Sequence, residues 1–200
     1  MKSHFTAIFL SVLLSLGTIS AAWSADFSKG LTAYESGDYA TALREYTPLA
    51  EQGDVYAQYN LGTMYDQGLG VPQSFRTAAK WYTLAAEGGH DWSQYNLGRM
   101  YEKGQGVLQD YKTAVKWYRL AAEQGHAFAQ SNLGWMYRKG QGVPQDYVRA
   151  HMWSNIAASS GDGGYASKNR DIIAKRMNSN QIEKAQKLAR KCVRKKYKGC

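Results

Sequence analysis

A twelve-residue phrase is written three times in this chain at a fixed interval. It reads NLGTMYDQGLGV from Asn60 to Val71, NLGRMYEKGQGV from Asn96 to Val107 and NLGWMYRKGQGV from Asn132 to Val143, a step of 36 residues each time. A period of about 20–50 residues marks a solenoid, in which each unit is one supersecondary piece that buries its apolar face only against its neighbours. The expectation is a surface built by repetition, not a single catalytic pocket.

Each period reads as two helices. Ala57, Leu61, Met64 and Tyr65 fall on one helical face. Gly68 stops that helix, and Gly70, Val71 and Pro72 form a loop. Ser74 is placed to cap a second helix, whose stripe is Ala78, Trp81, Tyr82 and Ala85. Asp110 and Asp146 stand where Ser74 stands, and Asp38 does so in an earlier, shorter unit. Gly53, Gly89, Gly125 and Gly161 close the second helices in register. Gly62, Gly98 and Gly134 sit inside first helices, where glycine costs about 1 kcal/mol against alanine. Repeating that cost implies a close approach at each site. Trp81, Trp117 and Trp153 share one register position and read as core or inter-repeat packing. His90 and His126 stand one repeat apart, in the helix-junction place that Asp54 and Asp162 hold elsewhere. Successive helix layers lie about 10 Å apart, too far for a shared metal.

These residues carry a resemblance. Leu61, Gly62 and Tyr65, with Ala78, Tyr82 and Ala85, resemble a tetratricopeptide-type hairpin. The G-x-G-V-P-Q-D-Y loop, the K-W-Y-x-L-A-A-E-x-G segment and the 36-residue step are more specific and resemble the Sel-one-like repeat family. The resemblance implies an all-α, right-handed α/α superhelical solenoid of tetratricopeptide-like units with a C-terminal helical cap. It covers full units at 57–92, 93–128 and 129–164. A first unit at 26–56 lacks the loop extension. The third full unit departs in its second half, where Ser154 answers Tyr118 and Met152–Trp153 answer the Lys-Trp pair.

The ends differ from the body. Lys2 precedes an apolar run from Phe5 to about Ile19 and then small residues, the shape of a secretory signal. Cleavage after Ser24 would remove 1–24, with cleavage after Ala22 as the alternative, and the chain is expected in the periplasm or secreted. Residues 165–200 carry 12 Lys and Arg against Asp171 and Glu183, a net of +10, so with +9 overall everything before them sums to −1. An exported basic tail points away from nucleic acid. It fits either electrostatic contact with anionic envelope surfaces or a solvated helix face. Asn178 and Gln181 have capping-box spacing, and Ile182, Ala185, Leu188, Ala189 and Cys192 trace one stripe. Cys192 and Cys200 are the only cysteines, and export favours a bridge between them. Eight residues along one helix would hold them about 12 Å apart, so the chain must turn back after about Arg194.

No catalytic constellation is legible: H-E-x-x-H, G-x-S-x-G and the phosphate-loop pattern are all missing. No metal or cofactor is expected. Some exported, cysteine-rich members of the family bind or slowly hydrolyse β-lactams, and that is the alternative function. This sequence has no S-x-x-K and lacks their cysteine pair per repeat. The resemblance otherwise implies a non-catalytic, monomeric adaptor that binds a protein or peptide on its concave face. Carried over by position, that groove takes Tyr59, Tyr95 and Ser131, then Thr63, Arg99 and Trp135, with Asn60, Asn96 and Asn132 beside them. The asparagines either hold a bound backbone or bond to a neighbouring helix.

Overall fold

The computed structural model describes residues 25–161 and 164–200. The leader at 1–24 and the expected junction residue Asp162 lie outside them. The described residues form ten helices and no strand: α1 (Phe27–Ser36), α2 (Tyr39–Glu51), α3 (Val55–Gln67), α4 (Phe75–Glu87), α5 (Asp91–Lys103), α6 (Tyr111–Ala122), α7 (Ala127–Lys139), α8 (Tyr147–Ser159), α9 (Tyr165–Ala174) and α10 (Ser179–Arg194). Odd and even helices pair as hairpins, and each hairpin packs on the next through its even helix. The result is an α/α solenoid.

Local chemistry sets the boundaries. Asp38, Ser74, Asp110 and Asp146 each accept a backbone N–H at the start of an even helix. Asp54 does the same for α3, and His90 and His126 take that role for α5 and α7 through Nδ1. The glutamine of the long loop closes the other end of the odd helix. Gln73 donates to the Asp66 carbonyl (2.7 Å), Gln109 to Glu102 (2.8 Å) and Gln145 to Arg138 (2.9 Å). These carbonyls have no partner inside their own helix. A second glutamine joins neighbouring units: Gln58, Gln94 and Gln130 donate to the carbonyls of Ala50, Ala86 and Ala122 at 3.0–3.1 Å.

Packing explains the glycines. A Cβ on Gly62 would lie 2.6 Å from the Tyr82 ring, and one on Gly98 would lie 2.7 Å from the Tyr118 ring. The close approach expected inside the odd helices is thus made by a buried tyrosine of the partner helix. Gly106 and Gly142 combine a left-handed φ near 71° with backbone packing against Phe75 and Tyr111, at the start of the preceding even helix. Only glycine meets both demands. Trp81 packs on the core of α1–α3 and Trp117 on that of α4 and α5, while Trp153 is fully buried.

The C-terminal segment holds two helices, α9 and α10. They stand about one repeat period after α7 and α8. The α9 helix packs on α8 and also leans against α7, and α10 lies on α8. Asn169 of α9 donates to Ser154 Oγ (2.9 Å) in the place a tyrosine fills in other units. That is why the last repeat has a serine there. The capping box at Asn178 and Gln181 is formed, and Ala185, Ala189 and Cys192 are buried. After Arg194 the chain reverses through Lys196 and Tyr197, both at positive φ, and Cys192 is bonded to Cys200 with Cα atoms 5.6 Å apart. Tyr197 lies over Gly125, so the closed loop reaches back to the α6–α7 turn.

Candidate functional site

The even-helix tyrosines organise the odd-helix face. Tyr46, Tyr82 and Tyr118 are fully buried, and each phenol sits among residues that the sequence assigned to the groove. The Tyr82 hydroxyl meets Thr63 Oγ1 at 3.2 Å. The Tyr118 hydroxyl donates to Glu102. Burial pushes the Tyr46 hydroxyl up to about 12 and those of Tyr82 and Tyr118 higher still. All three are neutral at any physiological pH.

The candidate residues then divide. Thr63 is 9% exposed and bonded to Tyr82, so it belongs to the core and not to a groove surface. Its small hydroxyl is what lets the chain bury that position. Where Arg99 replaces it, Glu102 supplies the partner for Tyr118; where Trp135 replaces it, Ser154 leaves no phenol to satisfy. The variation at 63, 99 and 135 therefore has a structural component. Tyr59 and Tyr95 are half-buried, with ring centroids 4.6 Å from His90 and 4.7 Å from His126. Burial raises both phenols and lowers both imidazoles. Arg99 lies 5.9 Å over the Tyr95 ring and half-exposed. Trp135 is 39% exposed.

The asparagines are half-buried. Asn60 is near enough to the Tyr46 phenol, and Asn132 to the Tyr118 phenol, to favour their ionised forms. The Tyr46 hydroxyl nevertheless makes no hydrogen bond of ordinary geometry. Asn60 and Asn132 thus face the preceding unit.

One end of this face is hollow. Ser131, Asn132 and Trp135 of α7 line a cavity of about 290 Å³ with Arg138, Tyr165, Lys168, Asn169 and Ile172. The sequence reading brought the first three together but missed the rest. Arg138 holds the register position of Asp66 and Glu102, and the others come from α9, whose sequence does not repeat the motif. The 36-residue step carried past 164 is the signal that would have found them. Arg138 stacks on Trp135 at 4.2 Å. Among the described residues, no group of three or more His, Cys, Asp or Glu is placed to hold a metal ion, and no helix is long and apolar enough to cross a membrane.

Comparison with known proteins places these features in a family. The Sel1 repeat profile matches residues 55–90, 93–126 and 127–162. A Sel1 repeat protein from Oxalobacter formigenes is 31% identical with a TM-score of 0.67, over 84% of this chain and 75% of that one. A protective antigen present in uropathogenic Escherichia coli strains, described as displaying an SLR fold, is 30% identical with a TM-score of 0.61. That match covers 86% of this chain and 45% of the antigen. The Helicobacter pylori cysteine rich protein B shares the fold at 20% identity and a TM-score of 0.51, over 66% of this chain and 94% of that one. No curated protein matches. Three matched repeats, stacked as helical hairpins, make this chain a member of the Sel1 repeat family.

Proposed function

We propose that the protein is a non-catalytic interaction module of the cell envelope or secreted space, binding a peptide or protein segment on the concave face of its odd helices. Sel1 repeat proteins are in general protein-interaction modules and typically non-catalytic. The observation that carries the reading is a constant packed frame presenting varied, partly exposed side chains in register, Arg99 and Trp135 above all, beside a cavity at one end. In this reading residues 1–24 are an export signal and the mature chain acts as a monomer. The test is capture of partners from the envelope of the exporting cell, followed by titration of each purified partner. Arg99→Ala and Trp135→Ala should weaken binding. Unchanged affinity in both variants places the interaction elsewhere.

A second surface has its own support. Along α10 and the turn after it, Lys184, Lys187, Arg190, Lys191, Arg194 and Lys195 are all exposed. Their charge suits anionic envelope surfaces, and such binding should fall as salt is raised. Retention on vesicles containing anionic lipid, lost at high salt, is the measurement. Retention that ignores salt would remove this role.

A further inference from the structure

We infer that the outer face of α4 and α6, turned away from the odd helices, is a separate docking surface that receives an acidic amphipathic helix of a partner protein. The fold already seats a helix on this face one repeat later. There α10 lies on α8 and covers Met152 and Ile156, which are 3% and 1% exposed, with Leu188, Ala189 and Cys192. Met152 holds the register position of Lys80 and Lys116, and Ile156 that of Leu84 and Leu120. The last repeat departs from the Lys-Trp pair because α10 buries that position.

In α4 and α6 the same positions have no such cover. Leu84 is 47% exposed and Leu120 is 38% exposed. Arg76, Lys80, Lys112, Lys116 and Arg119 are exposed beside them. The α4 helix sets Arg76 and Lys80 against Glu87, and α6 has no acid between its caps, Asp110 and Glu123. None of the five cations forms an ion pair among the described residues. On α6 the surface is hollow: Lys112, Lys116 and Arg119 enclose, with Val115, Leu120 and Val143, a space of about 340 Å³. Lys116 lies 5.4 Å over the Trp117 ring, and Arg119 donates to the Tyr137 hydroxyl at 2.9 Å. These contacts hold both cations at the rim.

Exposed leucines rimmed by unpaired cations call for a partner that is apolar along one stripe and acidic beside it. An extended acidic segment would pair the cations and leave the leucines and the hollow unfilled. The α10 helix of a second copy has the right shape and the wrong sign, since it carries Lys184, Lys187, Arg190, Lys191 and Arg194 against Glu183. A helix with Asp and Glu in those places meets both demands.

The probe is a synthetic copy of Ser179–Arg194 with every Lys and Arg replaced by Glu and the cysteine by Ala. It is titrated into isotope-labelled protein and followed by NMR, against the unaltered basic peptide and a scramble of the acidic one. The acidic peptide should gain helix and shift the amides of α4 and α6. The scramble, which breaks the apolar stripe, should bind at least about tenfold more weakly, and the basic peptide should not bind. Lys80→Glu combined with Lys116→Glu should weaken binding about tenfold, as expected for two exposed pairs turned repulsive. Leu120→Ser, at an exposed position, tests the apolar part if the charge reversal does not fold. Shifts confined to α10 or to the odd helices, a scramble that binds as tightly, or an affinity unmoved by these variants would each overturn the inference. Anionic vesicles that shift α4 and α6 where the peptide does not would assign the face to a membrane and overturn it too. Arg99→Ala and Trp135→Ala should leave this binding unchanged, because it does not rest on the odd-helix groove; a loss in either would place the peptide there instead.

Discussion

Replacing Gly98 with alanine sets two effects of known size against each other. In a helix interior alanine is favoured over glycine by about 1 kcal/mol, so on propensity alone the change stabilises α5. The new Cβ, however, would lie 2.7 Å from both Cδ1 and Cε1 of Tyr118. That ring is fully buried, and its hydroxyl is held by Glu102, so it cannot swing clear without breaking that bond. Overpacking a tight core costs about 1–3 kcal/mol. A net loss of up to about 2 kcal/mol follows, or up to about 8 °C in melting temperature at roughly 2–4 °C per kcal/mol for a domain of this size. Urea unfolding followed by circular dichroism measures it. The decisive control is a double-mutant cycle with Tyr118→Ala, which removes the ring that the new Cβ would meet. Tyr118→Ala alone should cost about 3–5 kcal/mol through the cavity it leaves. The double variant should be more stable than the sum of the two by at least about 1 kcal/mol, because the clash is gone. A higher melting temperature for Gly98→Ala, or a strictly additive cycle, would refute the packing argument.

Arg99→Ala and Trp135→Ala should each change stability by no more than about 0.5 kcal/mol while weakening partner binding; a large fall in melting temperature would assign them to the core. Burial lowers the imidazoles of His90, His126 and His151. Each is harder to protonate in the folded chain, so its stabilisation is present above the unfolded value of 6.5 and is lost as pH falls below it through the depressed folded value. Melting temperature should therefore drop from pH 7.5 to 5. His126→Asn, which keeps a cap acceptor that does not titrate, should flatten the curve, and an unchanged slope would count against His126 as a source of the pH dependence. β-Lactam turnover should not exceed background; turnover abolished by one Ser or His substitution would establish the enzymatic alternative. The Cys192–Cys200 loop should contribute about 2–3 kcal/mol through chain entropy. Its reduction should lower hydrogen-exchange protection from residue 165 onward and, because Tyr197 rests on Gly125, at the α6–α7 turn as well. The α3–α5 region should keep its protection. Equal tail protection in both redox states would mean the bridge constrains nothing.

Much of the frame was legible because it depends on local rules that repeat. The caps at Asp38, Ser74, Asp110 and Asp146, the closing glycines and the core alanines at 78, 85, 114 and 121 each follow from one short-range requirement. The need for close approach at Gly62 and Gly98 could be read as well, but not its partner, since a tyrosine twenty residues away looks no different from any other stripe residue. The end cavity was illegible for another reason. It depends on α9, whose sequence keeps the period and abandons the motif, so nothing in its letters announces that Lys168 and Asn169 stand beside Trp135.

The same packing bears on how much meaning variation in a repeat can hold. Thr63, Arg99 and Trp135 occupy one position in three near-identical frames, and read as letters they look like a surface adjusted to a ligand. The buried phenols show that part of this choice is internal. Tyr82 takes its partner from position 63, Tyr118 takes one from Glu102, and the last repeat has no phenol there at all. Only after that demand is met is a position free to serve a ligand. Arg99 and Trp135 are free in this sense, and Thr63 is not. Arg138 is free too, since the role Glu102 plays one repeat earlier lapses once Ser154 replaces the tyrosine. The loss of that phenol at the end of the solenoid thus releases one register position from the core, and the chain places a cation there.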